Sequence, residues 1–188
     1  RGCEHGCVYC YARPAHAYMG LSPGLDFESK LFIKPNAAAL LREELTAPNY
    51  VPSTIALGAN TDPYQPIERD YRITRSVIEV LAEFGHPFGI VTKSANVTRD
   101  LDLLKPLAQQ DLVKVALSVT TLDPKLARSM ELRASTPAKR LAAIEVLAKA
   151  GVRTVVMMGP IIPGLNDHEI ENILKAARNA GATEAGYT

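Results

Sequence analysis

Four short runs of apolar and β-branched residues recur along the chain and constrain its fold more than any other feature. They span residues 54–57, 88–92, 113–119 and 154–158. Each run is nearly all apolar, which is typical of strands buried on both faces of a parallel sheet. Segments with a helical period separate the runs. The clearest predicts a helix from Pro137 to about Ala150, which Thr136 begins and Gly151 ends.

The helical segments also have recognisable faces and ends. On the helix that begins near Pro137, the pattern places Ile144 and Leu147 toward the core and Arg140 toward solvent. A later helix is predicted to follow Asn166, which we expect to cap it together with Glu169, three residues on.

Strand and helix alternate at a spacing of roughly 25 to 40 residues, which is the rhythm of βα units joined by right-handed crossovers. The predicted fold class is therefore α/β, with parallel strands and crossover helices. A closed barrel of eight such units typically takes about 250 residues. A chain of 188 residues thus fits part of such a barrel or an open, doubly wound sheet.

The two ends of the chain indicate a fragment, truncated at both ends. Arg1 stands two positions before the first cysteine, which leaves no room for a supporting strand. The chain also stops soon after Gly181, where a helix is predicted to end and a strand to follow. We therefore expect residues 1–188 to form one core domain that lacks its first strand and its C-terminal units, with a sheet of about four strands.

Composition excludes several classes of protein. Apolar residues make up 47% of the chain and charged residues 22%, which predicts an ordinary globular core. The net charge of +1 provides no basic excess of the kind that follows a nucleic-acid backbone. No apolar run approaches the roughly 18 residues of a membrane span, and there is no secretion signal. These features predict a cytoplasmic protein.

All three cysteines fall within the first ten residues, as Cys3, Cys7 and Cys10. An odd number of clustered thiols without an export signal argues against disulfides and for metal or redox chemistry. The spacing places three thiolates on one loop, as in iron-sulfur sites, which usually use four. A cluster held by three would leave one iron open to a substrate or cofactor. Zinc is the alternative, with His5 or His16 as a fourth ligand.

This spacing, with the aromatic Tyr9 directly before Cys10, resembles the signature of the radical S-adenosylmethionine enzymes. Segments 60–66, 91–94, 117–119 and 160–167 are similar to the subgroup related to spore photoproduct lyase and the DNA repair photolyase-like proteins. The resemblance spans essentially the whole chain. It implies a partial (β/α) barrel of the radical S-adenosylmethionine type, and a 4Fe-4S cluster bound by Cys3, Cys7 and Cys10.

The resemblance also implies the reaction. The cluster would bind S-adenosylmethionine at its open iron and cleave it reductively to a 5'-deoxyadenosyl radical, which abstracts hydrogen from a substrate. An electron donor such as a flavodoxin or ferredoxin is then an expected partner. The substrate is unknown; nucleic acid is one candidate, which the near-neutral charge does not support. A non-catalytic iron-sulfur domain for electron transfer or sensing is the alternative function.

Further roles follow from the resemblance and from the positions of polar residues after the strands. Asn60 or Asp62 would accept hydrogens of the methionine amino group, although Asp62 would equally suit a simple turn. Lys93 would pair with the methionine carboxylate, and Ser118 would bond the cofactor. Tyr9 would lie along the adenine.

The pair Glu131 and Arg133 resembles a Glu-x-Arg element of relatives. Arg133 would bind the carboxylate or the ribose side of S-adenosylmethionine, with Glu131 orienting it; a surface ion pair is the competing interpretation. The sequence departs from spore photoproduct lyase in having no further cysteine to return a hydrogen atom. Tyr9, Tyr11 or Tyr64 are candidates for that role, and repair of thymine photoproducts is doubtful.

Overall fold

The computed structural model of the chain describes residues 1–188 and contains one sheet of five parallel strands. The strands are β1 (Ile55–Leu57), β2 (Phe88–Thr92), β3 (Val113–Ser118), β4 (Arg153–Met158) and β5 (Glu184–Tyr187). They lie side by side in chain order, and every neighbouring pair is parallel. This arrangement confirms the predicted α/β class with crossover connections.

Eight α-helices lie before and between the strands. They are α1 (Asp26–Ser29), α2 (Ala37–Leu45), α3 (Glu68–Tyr71), α4 (Ile73–Glu83), α5 (Leu101–Ala108), α6 (Pro124–Met130), α7 (Pro137–Lys149) and α8 (Ile170–Asn179). Three short 3-10 helices, Arg13–Met19, Ala95–Asp100 and Asp167–Glu169, complete the secondary structure. None of the helices has the length and apolar character needed to span a lipid bilayer.

The sheet has one strand more than the expected number of about four. The four predicted runs form β1 to β4, and the additional strand β5 pairs with β4 from Glu184 to Tyr187. The expectation that the strand after Gly181 is missing is therefore wrong. The run Glu-Ala-Gly-Tyr carries no β-branched residue, and every second position is exposed. An edge strand of this kind needs little apolar character, which is why the pattern did not show it.

The main apolar core lies between the sheet and four crossover helices. Each helix contributes at least two fully or nearly fully buried side chains, among them Ile78 and Leu81 from α4, Leu104 and Leu107 from α5, Ile144 and Leu147 from α7, and Ile173 and Ala177 from α8. The strands contribute alternate residues, such as Ile90, Leu117 and Val156, because successive side chains point to opposite faces. The helices thus cover one face of the sheet.

The opposite face is covered differently near the carboxyl ends of the strands. Val91, Ser118 and Met157 are the neighbours of the core residues just named, and all three line a cavity on the other side of the sheet. The strands are apolar on both faces because one face meets the helices and the other meets this cavity.

The ends of two helices test the predicted capping. Thr136 caps α7 as expected, since its hydroxyl accepts the Lys139 N–H, and Pro137 follows it. The prediction for Asn166 is wrong. Its side chain bonds the Ile162 N–H and the Thr120 carbonyl, while the Glu169 carboxylate accepts bonds from residues 121 and 122. Both side chains tie neighbouring loops together in place of capping α8.

The first 36 residues form no strand of the sheet, and the part from Cys3 to Tyr11 borders the cavity at its carboxyl ends. Cys7 makes a single antiparallel bridge with Glu131. Within the segment, the Cys3 N–H donates to the Phe27 carbonyl and the Phe32 N–H to the Arg1 carbonyl. The segment that carries the cysteines is therefore held by local turns and by contacts with the loops that follow the strands.

Candidate functional site

A cavity of about 440 Å³ lies at the carboxyl ends of β1 to β4, beneath the cysteine loop, residues 3–10. Most of the predicted site residues meet there: Cys3, Cys7, Tyr9, Cys10, Asn60, Asp62, Lys93 and Ser118. The cysteine loop and the strand ends thus surround one rim, as the positions of these residues in the sequence predict. We call this space the cofactor cavity.

The three thiols form no disulfide and are largely shielded from solvent. Burial raises the pKa of Cys3 to about 11, and the nearby Asp62 charge adds to the shift. Burial likewise raises the pKa of Cys7 to about 12, although the Lys93 charge opposes the increase. Thiolates at these positions therefore need more positive charge than Lys93 supplies, and a bound metal supplies such a charge.

The thiols suit a cluster better than a single metal ion. No three side chains among the cysteine, histidine, aspartate and glutamate residues converge as the ligands of one ion do. A 4Fe-4S cluster does not require its ligands to converge on one point, because each cysteine binds a separate iron. The two histidines considered as zinc ligands are engaged elsewhere: His5 Nε2 lies 3.1 Å from Asp62 Oδ2, and His16 Nε2 lies 3.0 Å from the Lys30 carbonyl oxygen. The residues present thus fit a cluster held by three cysteines.

Asp62 is a buried structural acceptor. Its carboxylate accepts bonds from the Thr92 hydroxyl and the Lys93 N–H, each at 2.7 Å, and from the Tyr64 N–H at 2.9 Å. Burial alone would raise the pKa of Asp62, but His5 and these hydrogen bonds outweigh burial and lower the pKa to about 2. Asn60 is exposed to the cavity and makes no side-chain hydrogen bond. Of the two residues considered for the amino group, Asn60 is the one with free hydrogen-bonding capacity.

Gly58 allows the chain to pass close to the neighbouring strand just before Asn60. Its φ is +95°, and a Cβ at this position would lie 2.1 Å from the Val91 carbonyl oxygen. Only glycine fits there, because any side chain would clash with the backbone of β2.

Lys93 is the only lysine that lines the cofactor cavity, and it forms no ion pair with a carboxylate of the chain. Its ammonium nitrogen lies 5.8 Å from the centre of the Tyr9 ring, within the range of a cation–π contact. The position leaves this charge available to a ligand carboxylate.

Glu131 anchors the cysteine loop through Tyr9. Its carboxylate accepts bonds from the hydroxyls of Tyr9 and Thr120, and it pairs with Arg140. The side chains of Glu131 and Arg140 are 0% and 1% exposed. Burial would raise the pKa of Glu131, but the Arg140 charge and the hydrogen bonds lower it below its usual value. Tyr9 is therefore fixed between Cys7 and Cys10 by a buried ion pair.

The structure contradicts two expectations about arginines, that Arg140 faces solvent and that Glu131 orients Arg133. Arg140, expected to face solvent, is buried and also donates to the carbonyls of Ser118 and Ser135. Arg133 does not pair with Glu131, and it lies outside the cofactor cavity. Its guanidinium instead contacts the Glu28 carboxylate and the Glu4 carbonyl. The proximity of Glu131 and Arg133 in the sequence was misleading because their side chains point to different neighbours.

Gln65 is a further anchor of the cysteine loop that the sequence did not single out. Its Oε1 accepts the Glu4 N–H at 3.0 Å, and its Nε2 donates to the Gly2 carbonyl at 3.1 Å. The Glu4 carboxylate in turn accepts the Ile67 N–H at 2.5 Å. Gln65 belongs to the segment 60–66 that carries the family resemblance, and that membership was the only indication in the sequence of a role at the site. The loop after β1 thus holds the start of the cysteine loop.

The three tyrosines considered as hydrogen donors occupy different surroundings. Tyr64 is buried, and its hydroxyl donates to Asp100 at 2.9 Å. Tyr9 lines the cofactor cavity, but Glu131 holds its hydroxyl. Tyr11 lines the cavity with a largely exposed ring, and its hydroxyl donates to the Ala59 carbonyl. Tyr11 is the one of the three that is both exposed and at the cavity.

Comparisons with known proteins agree with this geometry. The family model described as the Radical SAM superfamily matches residues 1–177. An uncharacterized protein of Mycobacterium tuberculosis is 43% identical over 185 residues, which cover 97% of this chain and 54% of that protein. An uncharacterized protein of Methanocaldococcus jannaschii is 28% identical over 168 residues, which cover 89% of this chain and 60% of that protein. The chain therefore spans about half the length of the curated relatives it matches.

Solved structures show the same fold at low identity. A variant of spore photoproduct lyase superposes with a TM-score of 0.69 at 17% identity, covering 99% of this chain and 53% of the lyase. SuiB of Streptococcus suis, bound to S-adenosylmethionine, superposes with a TM-score of 0.60 at 15% identity, covering 84% of this chain and 35% of SuiB. These likenesses confirm the predicted partial barrel.

Proposed function

The chain belongs to the radical SAM superfamily, and from this premise we propose which of its residues hold the 4Fe-4S cluster and the S-adenosylmethionine that the superfamily uses. When bound and reduced, the cluster supplies one electron that splits S-adenosylmethionine into methionine and a 5'-deoxyadenosyl radical, which takes a hydrogen atom from the substrate. Cys3, Cys7 and Cys10 are the proposed cluster ligands. The observation that carries this proposal is that three thiols without disulfide partners, two of them buried and one partly buried, face one cavity.

Different polar groups of the chain bind different parts of S-adenosylmethionine. Lys93 pairs with the methionine carboxylate, because it is the lysine at the cofactor cavity and has no carboxylate partner in the chain. Asn60 accepts from the amino group. Ser118 and Met157 line the same wall and contact the nucleoside side of the molecule. Asp62 and Glu131 serve as internal supports of Lys93 and Tyr9, since their oxygens are occupied by bonds within the chain.

Tyr9 helps to position the adenine through its ring. Its hydroxyl is held by Glu131 and its ring lies against Lys93, so the ring is the part that remains to lie along the adenine. Burial and the nearby Glu131 charge raise its pKa, so the hydroxyl stays protonated and keeps donating to Glu131.

The substrate class stays open. Solved neighbours of this fold include SuiB with a precursor peptide and spore photoproduct lyase with a dinucleoside spore photoproduct. Because proteins of one fold act on such different molecules, the fold does not identify the substrate. A small one-electron carrier such as a flavodoxin or ferredoxin is the proposed source of the electron.

Anaerobic reconstitution with iron and sulfide tests the proposal. The loaded protein should contain four irons per chain and should form 5'-deoxyadenosine when S-adenosylmethionine and dithionite are added, measured by mass spectrometry. A protein that holds the cluster but neither binds nor cleaves S-adenosylmethionine would instead be a non-catalytic iron-sulfur domain. Tight zinc with no iron would overturn both assignments.

A further inference from the structure

A second cavity, of about 290 Å³, lies next to His5 of the cysteine loop. It is bordered by the loop after β2 and by the segment that joins α6 to α7. His5 lines both cavities, so the second cavity adjoins the cofactor cavity at the cysteine loop. We call this second space the cation-lined cavity.

The cation-lined cavity carries positive charge without a compensating carboxylate. Arg128, Arg133 and Lys139 line it, and no aspartate or glutamate does. Arg133 is paired with Glu28, but Arg128 and Lys139 form no ion pair with any carboxylate of the chain. The chain as a whole has a net charge of only +1. The concentration of cations here is therefore a local feature, and it favours an anionic occupant.

Three hydroxyl groups in the same cavity have protons to donate. Ser135 Oγ accepts the Ala95 N–H at 2.9 Å, Ser94 Oγ accepts an N–H at 3.3 Å, and Thr136 Oγ1 accepts one at 3.4 Å. None of the three donates to an acceptor within the chain. Each hydroxyl is thus oriented by a bond that it accepts, and its own O–H remains for another partner.

His5 provides an independent sign of an occupant. It is 3% exposed; its Nε2 lies 3.1 Å from Asp62 Oδ2, and its Nδ1 has no hydrogen-bond partner within the chain. A buried polar group without a partner is costly, and such groups are nearly always satisfied by something bound. Here the ring borders the cations and hydroxyls just described.

We propose that the cation-lined cavity binds a phosphate group through Arg128, Lys139 and the three hydroxyls. A phosphate group carries several acceptor oxygens in a tetrahedral arrangement, which matches donors that approach from several directions. The phosphate could be free, part of a phosphomonoester, or a phosphodiester of a nucleic acid; all share this chemistry. The inference is independent of the roles proposed for Lys93 and the cysteines.

Isothermal titration calorimetry with inorganic phosphate tests the site in cluster-loaded protein at constant ionic strength. We expect saturable binding at one site, weakened about tenfold or more by Arg128→Gln and by Lys139→Gln, because each removes a charge-assisted contact. Lys125→Gln is the matched control: this lysine is exposed on α6 but does not line the cavity. No saturation up to about 20 mM phosphate, or equal weakening by Lys125→Gln, would overturn the proposal.

A short single-stranded oligonucleotide without terminal phosphates distinguishes the sources. If fluorescence anisotropy shows binding that Arg128→Gln and Lys139→Gln weaken and Lys125→Gln does not, the site accepts phosphodiesters. If phosphate binds and the oligonucleotide does not, the site takes a free phosphate or a monoester. Oligonucleotide binding that all three variants weaken equally would be nonspecific and would not support the site.

Iron content and 5'-deoxyadenosine formation, measured in the same samples, separate this inference from the proposed function. Neither Arg128 nor Lys139 lines the cofactor cavity, so both variants should keep wild-type values of these two quantities.

Discussion

The sheet and the cysteine loop are stabilised in different ways. The sheet packs against its helices through one apolar cluster of 20 buried residues. The segment that carries the cysteines has an apolar cluster of only three buried residues, Cys3, Ala12 and Phe27. Its position depends on polar side chains that reach it from loops distant in sequence, such as Gln65 and Glu131. Stability is therefore spread over many residues in one region and concentrated in few in the other.

This difference has an energetic consequence. Loss of one methylene group from a large core costs a little and is shared among neighbours. Loss of one member of a buried polar network leaves its partners without bonds, at the full cost of their burial. Single polar substitutions should thus disturb the cysteine loop strongly while the sheet stays folded, and the predictions below test this division.

The largest effect is expected from Cys7→Ala. The variant should lose the cluster and with it all cleavage of S-adenosylmethionine, because two cysteines cannot hold it at this site. Its far-UV circular dichroism should remain that of the wild type, since the sheet does not use the thiol. Full iron content in the variant would contradict the assignment of Cys7 as a ligand.

Glu131→Ala should cost about 3–5 kcal/mol of unfolding free energy, because it leaves Arg140 buried without its partner. Urea unfolding measures the loss. Glu145→Ala serves as the control, since Glu145 forms an exposed pair with Lys149 and pairs of that kind contribute little. Equal losses in the two variants would show that the buried pair is not the anchor described here.

Leu147→Ala probes the other region. Leu147 is fully buried in the core, and its truncation should cost about 2–5 kcal/mol. At a temperature well below its transition, the folded variant should nevertheless keep wild-type iron content and S-adenosylmethionine cleavage. A loss of iron at that temperature would mean that the two regions are not separable.

The positions of β1 to β4 and the convergence of the three cysteines on one loop were predictable, because each depends on a local pattern in the sequence. The apolar runs of β2 to β4 reflect strands that are largely buried on both faces, and the thiol spacing matches the proposed cluster. The strand β5 escaped the pattern because its alternate residues face solvent. Periodicity identifies which residues can be buried, and an edge strand buries few.

The polar contacts of the site were not predictable in the same way. Arg140 lies on a face of α7 that the pattern assigns to solvent, yet Glu131 and two carbonyl groups meet it there. Arg133 stands two positions from Glu131 but pairs with Glu28, more than one hundred residues earlier. Such partners come together only when distant loops fold over one another, which no local pattern records.

Lys93→Gln should weaken S-adenosylmethionine binding by roughly tenfold or more, as expected for a charge-assisted contact of about 1.5–3 kcal/mol. Arg133→Gln should leave the affinity unchanged, because Arg133 lies outside the cofactor cavity. Calorimetric titration of cluster-loaded protein compares the two. If Arg133→Gln weakened binding as much as Lys93→Gln, the methionine carboxylate would lie closer to Arg133 and α1 than we propose.

The smallest effect is expected from Gln65→Leu, which removes two hydrogen bonds to the start of the cysteine loop. Neutral hydrogen bonds contribute about 0.5–1.5 kcal/mol each, so the loop should open more easily by about 1–2 kcal/mol. Amides of residues 2–10 should then exchange with solvent roughly five- to thirtyfold faster in cluster-loaded protein, while the amides of β2 and β3 exchange as before. Gln110→Leu is the control, because Gln110 bonds only the exposed Pro106 carbonyl at 3.4 Å. If Gln65→Leu accelerated exchange in the sheet as much as in the loop, the loop and the sheet would unfold together, and the contrast between a widely distributed core and a few polar anchors would not hold.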